Sequence, residues 1–263
     1  MGKATEILAN SRKIVLKVGS NVLAGEGGVL DEERVGYIAE QTLALIGSGK
    51  RVILVSSGAG VSGAAKVGRL NRKDDINYKQ ALCAVGQVEL MMEYKKRFAV
   101  GGKTVGQILL TTDNFGDDES MLNIRNTLFT LLDEDVVPII NENDSVCTKE
   151  ISFGDNDNLA ALTANLWNAD LLIIMSDVDG VYDSNPKENP DAILIDEITD
   201  YDMFGERVIT DGFSTFGTGG MDSKLEAAKT VGTYGIPMLL VNGRKKNALD
   251  CIAEGGIGTL FLP

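Results

Sequence analysis

"KIVLKVG", residues 13–19, is an almost unbroken apolar run with one lysine inside it, and a run of this kind reads as a strand buried on both faces. Five more short runs read the same way: "RVILVSS" (51–57), "VGQILL" (105–110), "VVPII" (136–140), "LLIIMSD" (171–177) and "PMLLVN" (237–242). Longer segments with apolar residues at helical spacing lie between them. "DEERVGYIAEQTLALIGSG" (31–49) opens with acids in its first turn and closes at glycine, as a helix does. Segments 77–99, 118–134, 157–169 and 219–235 complete the helical set. This alternation predicts an α/β fold, a mainly parallel central sheet with helices on both faces. Met91 and Met92, side by side in one helix, read as core filling. No repeat, low-complexity tract or linker interrupts the chain, so residues 1–263 read as a single domain. "DSNPKENPDA" (183–192) is a local, turn-rich excursion that reads as a β-hairpin.

Ligands of an open parallel sheet collect at the carboxyl ends of its strands. The apolar runs all discharge into small and polar residues at that end: "KVGSN", "SSGAG", "NENDS" and "SDVDG". Lys17 stands out because a buried ammonium costs several kcal/mol unless an anion meets it. It reads as a contact for transferring phosphate, with Gly19 leaving room for the ligand. "VSSGAG" (55–60) begins a helix after a strand, so free backbone N–H groups and the hydroxyls of Ser56 and Ser57 form an anion-receptive end.

Composition narrows the chemistry. The net charge of −13 argues against a broad nucleic-acid or anionic-membrane surface. The amino terminus lacks a secretory hydrophobic region and no apolar run is long enough to span a bilayer, so a cytoplasmic location is the expectation. Cys83, Cys147 and Cys251 are far apart and read as small buried hydrophobes, not as a disulfide or zinc set. The chain has no histidine, which removes the usual general base and nucleophile pairs. Phosphoryl transfer suits what remains, because it depends on positioning and charge stabilisation more than on proton shuttling.

"STFGTGGMDSKLEAAK" (214–229) sets glycines before a helix and a lysine. It is not a Walker A loop, since Lys224 follows Ser223 and precedes Leu225, nor a dinucleotide fingerprint, since Asp222 holds the place of the last glycine. "NENDS" and "FGDNDNLAA" contribute two carboxylate-amide clusters, with Asn141, Asn143 and Asp144 in one and Asp155, Asn156 and Asp157 in the other. Neither "DVDG" nor "DNDN" carries the EF-hand glycine at the sixth loop position. Two such clusters, two lysines and two glycine loops are what a site joining an anionic acceptor to a nucleotide requires.

"VLKVGSNVL", "LVSSGAG", "PIINENDSV", "FGDNDNLAA", "SDVDGVYDSNP" and "GTGGMDSKLEAA" occur in that order from residue 13 onward. With these motifs the sequence resembles the amino acid kinase family, and within it the members that phosphorylate glutamate. That resemblance implies transfer of the γ-phosphoryl of ATP to the γ-carboxylate of L-glutamate, the first step towards proline. It implies that Ser57, Asp144 and Asn156 hold glutamate, with Asn141 and Asp155 nearby. It assigns Ser176, Asp177 and the loop Thr218, Gly219, Gly220, Met221, Asp222, Ser223 and Lys224 to ATP. Lys17 and Lys224 would neutralise the moving phosphoryl, Lys17 thereby also touching the nucleotide, and Asp157 would orient both lysines. Mg²⁺ would accompany ATP mostly through phosphate oxygens and water, in keeping with the lack of a dense protein cage.

The resemblance further implies an acceptor-binding amino-terminal half, a nucleotide-binding carboxy-terminal half, a homo-oligomer, proline as a feedback inhibitor and glutamyl phosphate reductase as pathway partner. Many relatives carry a carboxy-terminal PUA domain; the sequence stops at "GTLFLP", so none is expected here. Position 56 is Ser where many relatives have Thr, which keeps the hydroxyl. Aspartokinase, acetylglutamate kinase, uridylate kinase and carbamate kinase share the fold with other acceptors. A non-catalytic amino-acid or nucleotide sensor is the reading from a different class, and it would not need two lysines converging on one phosphate.

Overall fold

The structure, a computed structural model, describes residues 2–67, 75–147, 156–186, 188–201, 220–253 and 258–263. Its eight-stranded sheet runs β3 (Thr104–Leu110), β4 (Val136–Glu142), β2 (Arg51–Ser56), β1 (Lys13–Val18), β5 (Leu171–Ser176), β9 (Met238–Asn242), β10 (Thr259–Phe261) and β8 (Glu197–Ile198). Every pairing in it is parallel except that of β9 with β10. A separate antiparallel pair, β6 (Val181–Tyr182) with β7 (Leu194–Ile195), flanks the turn-rich excursion and makes it the loop of a hairpin.

Strand periodicity divides the core into two layers. Val15, Ile53, Val55, Leu172 and Ile174 pack on one face beneath α6 (Asp118–Asp133), α7 (Asn156–Trp167) and α8 (Met221–Gly232). Ile14, Leu16, Val18, Ile173 and Met175 pack on the other beneath α3 (Glu32–Gly47), α5 (Ile76–Val100) and α9 (Ala248–Ala253). Each fully buried aliphatic chain contributes about 1.5–3 kcal/mol. Lys17 follows Val15 by two positions, so it falls on the face of α7 and α8. Burying its ammonium cancels the gain from about two such neighbours. Stability alone would put an aliphatic residue there.

Chain order creates the crevice. From β1 the chain moves outward to β2 and then to β3 and β4, whereas β5 lies on the opposite side of β1. The strand order therefore reverses between β1 and β5, and ligands of open α/β sheets bind at such a point. Register keeps the carboxyl ends level: Lys17 lies opposite Val55 and Ile174, Val18 opposite Ser56 and Met175, and Ser176 opposite Asn242.

Two glycines fix the helix that follows β2. Along α4 (Ala59–Val67), Gly63 meets the backbone of Leu82, and on α5 Gly86 meets that of Ala59. A Cβ at Gly86 would stand 1.8 Å from the Ala59 carbonyl oxygen. Gly86→Ala must therefore separate two helices, and is expected to destabilise by at least the ~1–3 kcal/mol of overpacking. A urea midpoint matching that of the unsubstituted protein would contradict this contact.

Several expectations need correction. β3 is not buried on both faces; it is an edge strand, and only Leu110 of its residues is buried. Met92 is 61% exposed while Met91 packs against the core, because adjacent helical residues cannot share one face. Cys83 and Cys147 are half-buried free thiols. The short helix α1 (Lys3–Asn10) and the strands β8 and β10 had no counterpart in the sequence reading. Among the described residues, no helix is long and apolar enough to cross a membrane.

Candidate active site

The site is built where α7 begins. Its first two residues are Asn156 and Asp157, and Asp157 is fully buried under the switch point. Lys17 Nζ, arriving from β1, lies 2.6 Å from Asp157 Oδ1. Lys224 Nζ, arriving from the first turns of α8, lies 3.2 Å from Oδ2. Ser223 Oγ donates to the same Oδ2 at 2.8 Å. Gly220 caps α8 with extended backbone and no side-chain cap hydrogen bond.

The electrostatics follow from this grouping. Burial pushes the Asp157 carboxyl upward, but the charges of Lys17 and Lys224 and the hydrogen bonds from Lys17 and Ser223 prevail and hold it below its usual range. Burial pulls the Lys224 ammonium down; Asp157 opposes this, and the like charge of Lys17 adds to it. Asp177, at the end of β5, also supports the charged form of Lys224. Two buried ammonium groups thus share one buried carboxylate.

The neighbouring residue on α7 begins a second cluster. Asn156 Nδ2 donates to Ser57 Oγ at 2.9 Å and to Asn141 Oδ1 at 3.1 Å. Asn141 Oδ1 also accepts from the Glu142 backbone N–H at 2.8 Å, and Asn141 Nδ2 donates to Gln87 Oε1 at 2.7 Å. Ser56 Oγ stands 2.8 Å from the Tyr94 hydroxyl, deeper in the core, so of the two serines only Ser57 is joined to this network. Asp144 is held by Cys83 instead. Burial raises its carboxyl and the hydrogen bond from the Cys83 thiol opposes that rise. Burial first, and then the Asp144 carboxylate, push the Cys83 thiol up to about 12, so it remains a neutral donor.

On the other side of the crevice, Ser176 Oγ donates to Asp177 Oδ1 at 3.3 Å and Asn21 Nδ2 to Asp177 Oδ2 at 3.0 Å. Next to them Lys245 pairs with Asp179 at 2.7 Å, and Asn242 Nδ2 donates to Asp179 at 2.9 Å. Met221 packs against the core and Asp222 is exposed on the first turn of α8. A Cβ on Gly19 would stand 3.7 Å from Lys17 Nζ, in space beside the ammonium.

The structure thus joins Lys17, Asp157, Ser223 and Lys224 in one cluster and Ser57, Asn141 and Asn156 in another, with Asp144 paired separately. Asp155, Thr218 and Gly219 lie outside the described residues. Sequence reasoning missed Asn21, Gln87, Asp179 and Lys245.

Known proteins place this arrangement in a family. The sequence model of the amino acid kinase family matches residues 12–242, and the chain belongs to that family. Relatives over nearly its whole length are glutamate 5-kinases: that of Alkaliphilus metalliredigens is 52% identical, with 95% of each chain covered. The glutamate 5-kinase of Clostridium acetobutylicum is 42% identical, covering 100% of this chain and 99% of its own. That of Syntrophotalea carbinolica is 47% identical over 98% of this chain but 69% of its own. Among solved structures, carbamate kinase from Giardia lamblia bound to AMP-PNP has a TM-score of 0.68 at 16% identity, with 97% and 99% of the two chains covered. UMP kinase from Ureaplasma parvum has a TM-score of 0.65 at 20% identity, with 97% and 100% covered. The fold is theirs, and the chain is a kinase.

Proposed function

We propose that the protein transfers the γ-phosphoryl group of ATP to the γ-carboxylate of L-glutamate, giving glutamyl 5-phosphate. The observation that carries this reading is the Lys17–Asp157–Lys224 cluster, in which one buried carboxylate gathers two buried ammonium groups beside an amide network. The identity to glutamate 5-kinases supports the choice of acceptor.

Asp157 holds both lysines at one place, so they are ready to neutralise charge on the phosphoryl group as it leaves one oxygen and meets another. Ser57, Asn141 and Asn156, with Asp144 on the same strand-end loop, orient glutamate. Asp144 would face its ammonium. Ser176, Asp177 and the start of α8 from Gly220 to Lys224 hold ATP, joined by Asp155 on the acceptor side and by Thr218 and Gly219 on the nucleotide side. The acceptor needs no general base, because a carboxylate is ionised near neutral pH. Among the described residues no group of three or more His, Cys, Asp or Glu could hold a metal ion. Mg²⁺ bound with ATP would supply neutralisation of phosphate oxygens and be carried by those oxygens and water. On this reading glutamyl phosphate reductase consumes the product, proline inhibits, the protein works in the cytoplasm as a homo-oligomer, and residues 1–263 act as one kinase domain.

The product is an acyl phosphate, which hydroxylamine captures as a hydroxamate. Hydroxamate should therefore form with ATP and Mg²⁺ only when glutamate is present, and much less with aspartate, whose carboxylate is one methylene short. ATP turnover without hydroxamate would refute phosphorylation of a carboxylate. A stronger signal with aspartate would move the acceptor assignment.

A further inference from the structure

The amide network has a fixed polarity that starts from the backbone. The Glu142 N–H can only donate, so the Asn141 atom 2.8 Å from it is the oxygen. Asn141 Nδ2 is then the donor to Gln87, and the Gln87 atom it meets at 2.7 Å is Oε1. The same oxygen of Asn141 takes a bond from Asn156 Nδ2, which fixes the second asparagine as well. Each amide orientation follows from the one before. At the two ends of this chain of amides one polar atom is left over: Gln87 Nε2, a donor, and Asn156 Oδ1, an acceptor. Both are buried, and neither has a protein partner among the described residues. Gln87 as a whole is only 8% exposed. Buried polar atoms are nearly always satisfied, so a leftover donor and acceptor in one network call for an outside partner.

We propose that Gln87 is a specificity-determining residue for the acceptor: it locks the orientation of Asn141 and Asn156, and its spare Nε2–H donates to a carboxylate of the amino-acid substrate while Asn156 Oδ1 accepts from its ammonium. This rests on the glutamate reading above and extends it to a residue on α5. A zwitterionic amino acid supplies both complements, whereas a neutral alcohol or a nucleoside phosphate supplies no ammonium.

The test compares Gln87→Glu and Gln87→Met with the unsubstituted protein in the hydroxamate assay, varying glutamate and ATP separately. The glutamate variant keeps an oxygen for Asn141 Nδ2, so the network stays anchored, but it replaces the donor with a negative charge. It should raise KM for glutamate about tenfold or more, the scale of one lost hydrogen bond to a charged group. KM for ATP and kcat at saturating glutamate should stay within about threefold of their original values, and thermal melting should show a folded protein. Gln87→Met should raise KM for glutamate as well, having lost both anchor and donor. A glutamate KM within twofold of the original in Gln87→Glu would overturn the inference. So would equal rises in both KM values, or a fall in kcat alone. An unsubstituted protein inactive with glutamate would overturn the substrate reading and this inference together; an active one with indifferent variants would overturn this inference alone.

Discussion

Methionine at Lys17 or at Lys224 is expected to lower kcat by about 10²-fold or more, the cost of removing one preorganised donor from a developing oxyanion. KM for glutamate should change far less, since on the proposed reading both ammonium groups act on charge that grows in the transition state. The structure adds a second expectation of opposite sign. Removing either lysine leaves Asp157 paired with the other and relieves the like-charge repulsion between them, which adds to burial in lowering the Lys224 pKa. The variants should therefore unfold at a urea concentration no lower than the unsubstituted protein. Loss of activity together with retained or increased stability would separate a charge-stabilising role from a structural one. Near-normal kcat in either variant would remove the assignment.

Asp157→Asn should behave in the reverse manner. It leaves the buried ammonium groups of Lys17 and Lys224 without the fully buried carboxylate that joins them. Breaking a buried ion pair from one side costs about 3–5 kcal/mol, enough to consume much of a domain's stability. The carboxyl is held below its unfolded value, so its contribution to stability is fully present above the unfolded pKa, near 4, and is lost as pH falls through the folded one. Urea midpoints measured from pH 7 downward should therefore converge between the two proteins in acid. A constant difference across that range would mean that the aspartate acts through shape and not through charge.

The strands that define the sheet were legible because burial on both faces leaves almost no polar letters, and β1, β2, β4 and β5 begin where the apolar runs begin. β8 and β10 were not: strands of two and three residues carry too little pattern to separate them from loop. Lys17 was legible as an anomaly inside a buried run, and its partner Asp157 was named from the resemblance, since nothing in the spacing links residues 140 positions apart. Gln87 was hidden for a simple reason. One polar residue within a long amphipathic helix looks like its solvent side, and only the position of Asn141 in space shows otherwise.

Asn156 and Asp157 are consecutive, and they anchor two different clusters, the amide network and the lysine pair. Neighbours on a helix point about 100° apart and are displaced by about 1.5 Å along its axis. On the proposed reading, the first turn of α7 therefore works as a ruler between donor and acceptor, graduated by the peptide backbone itself. Breathing of the sheet or drift of the surrounding loops carries both marks together, so the spacing between the amide network and the lysine cluster is set at this point by covalent geometry.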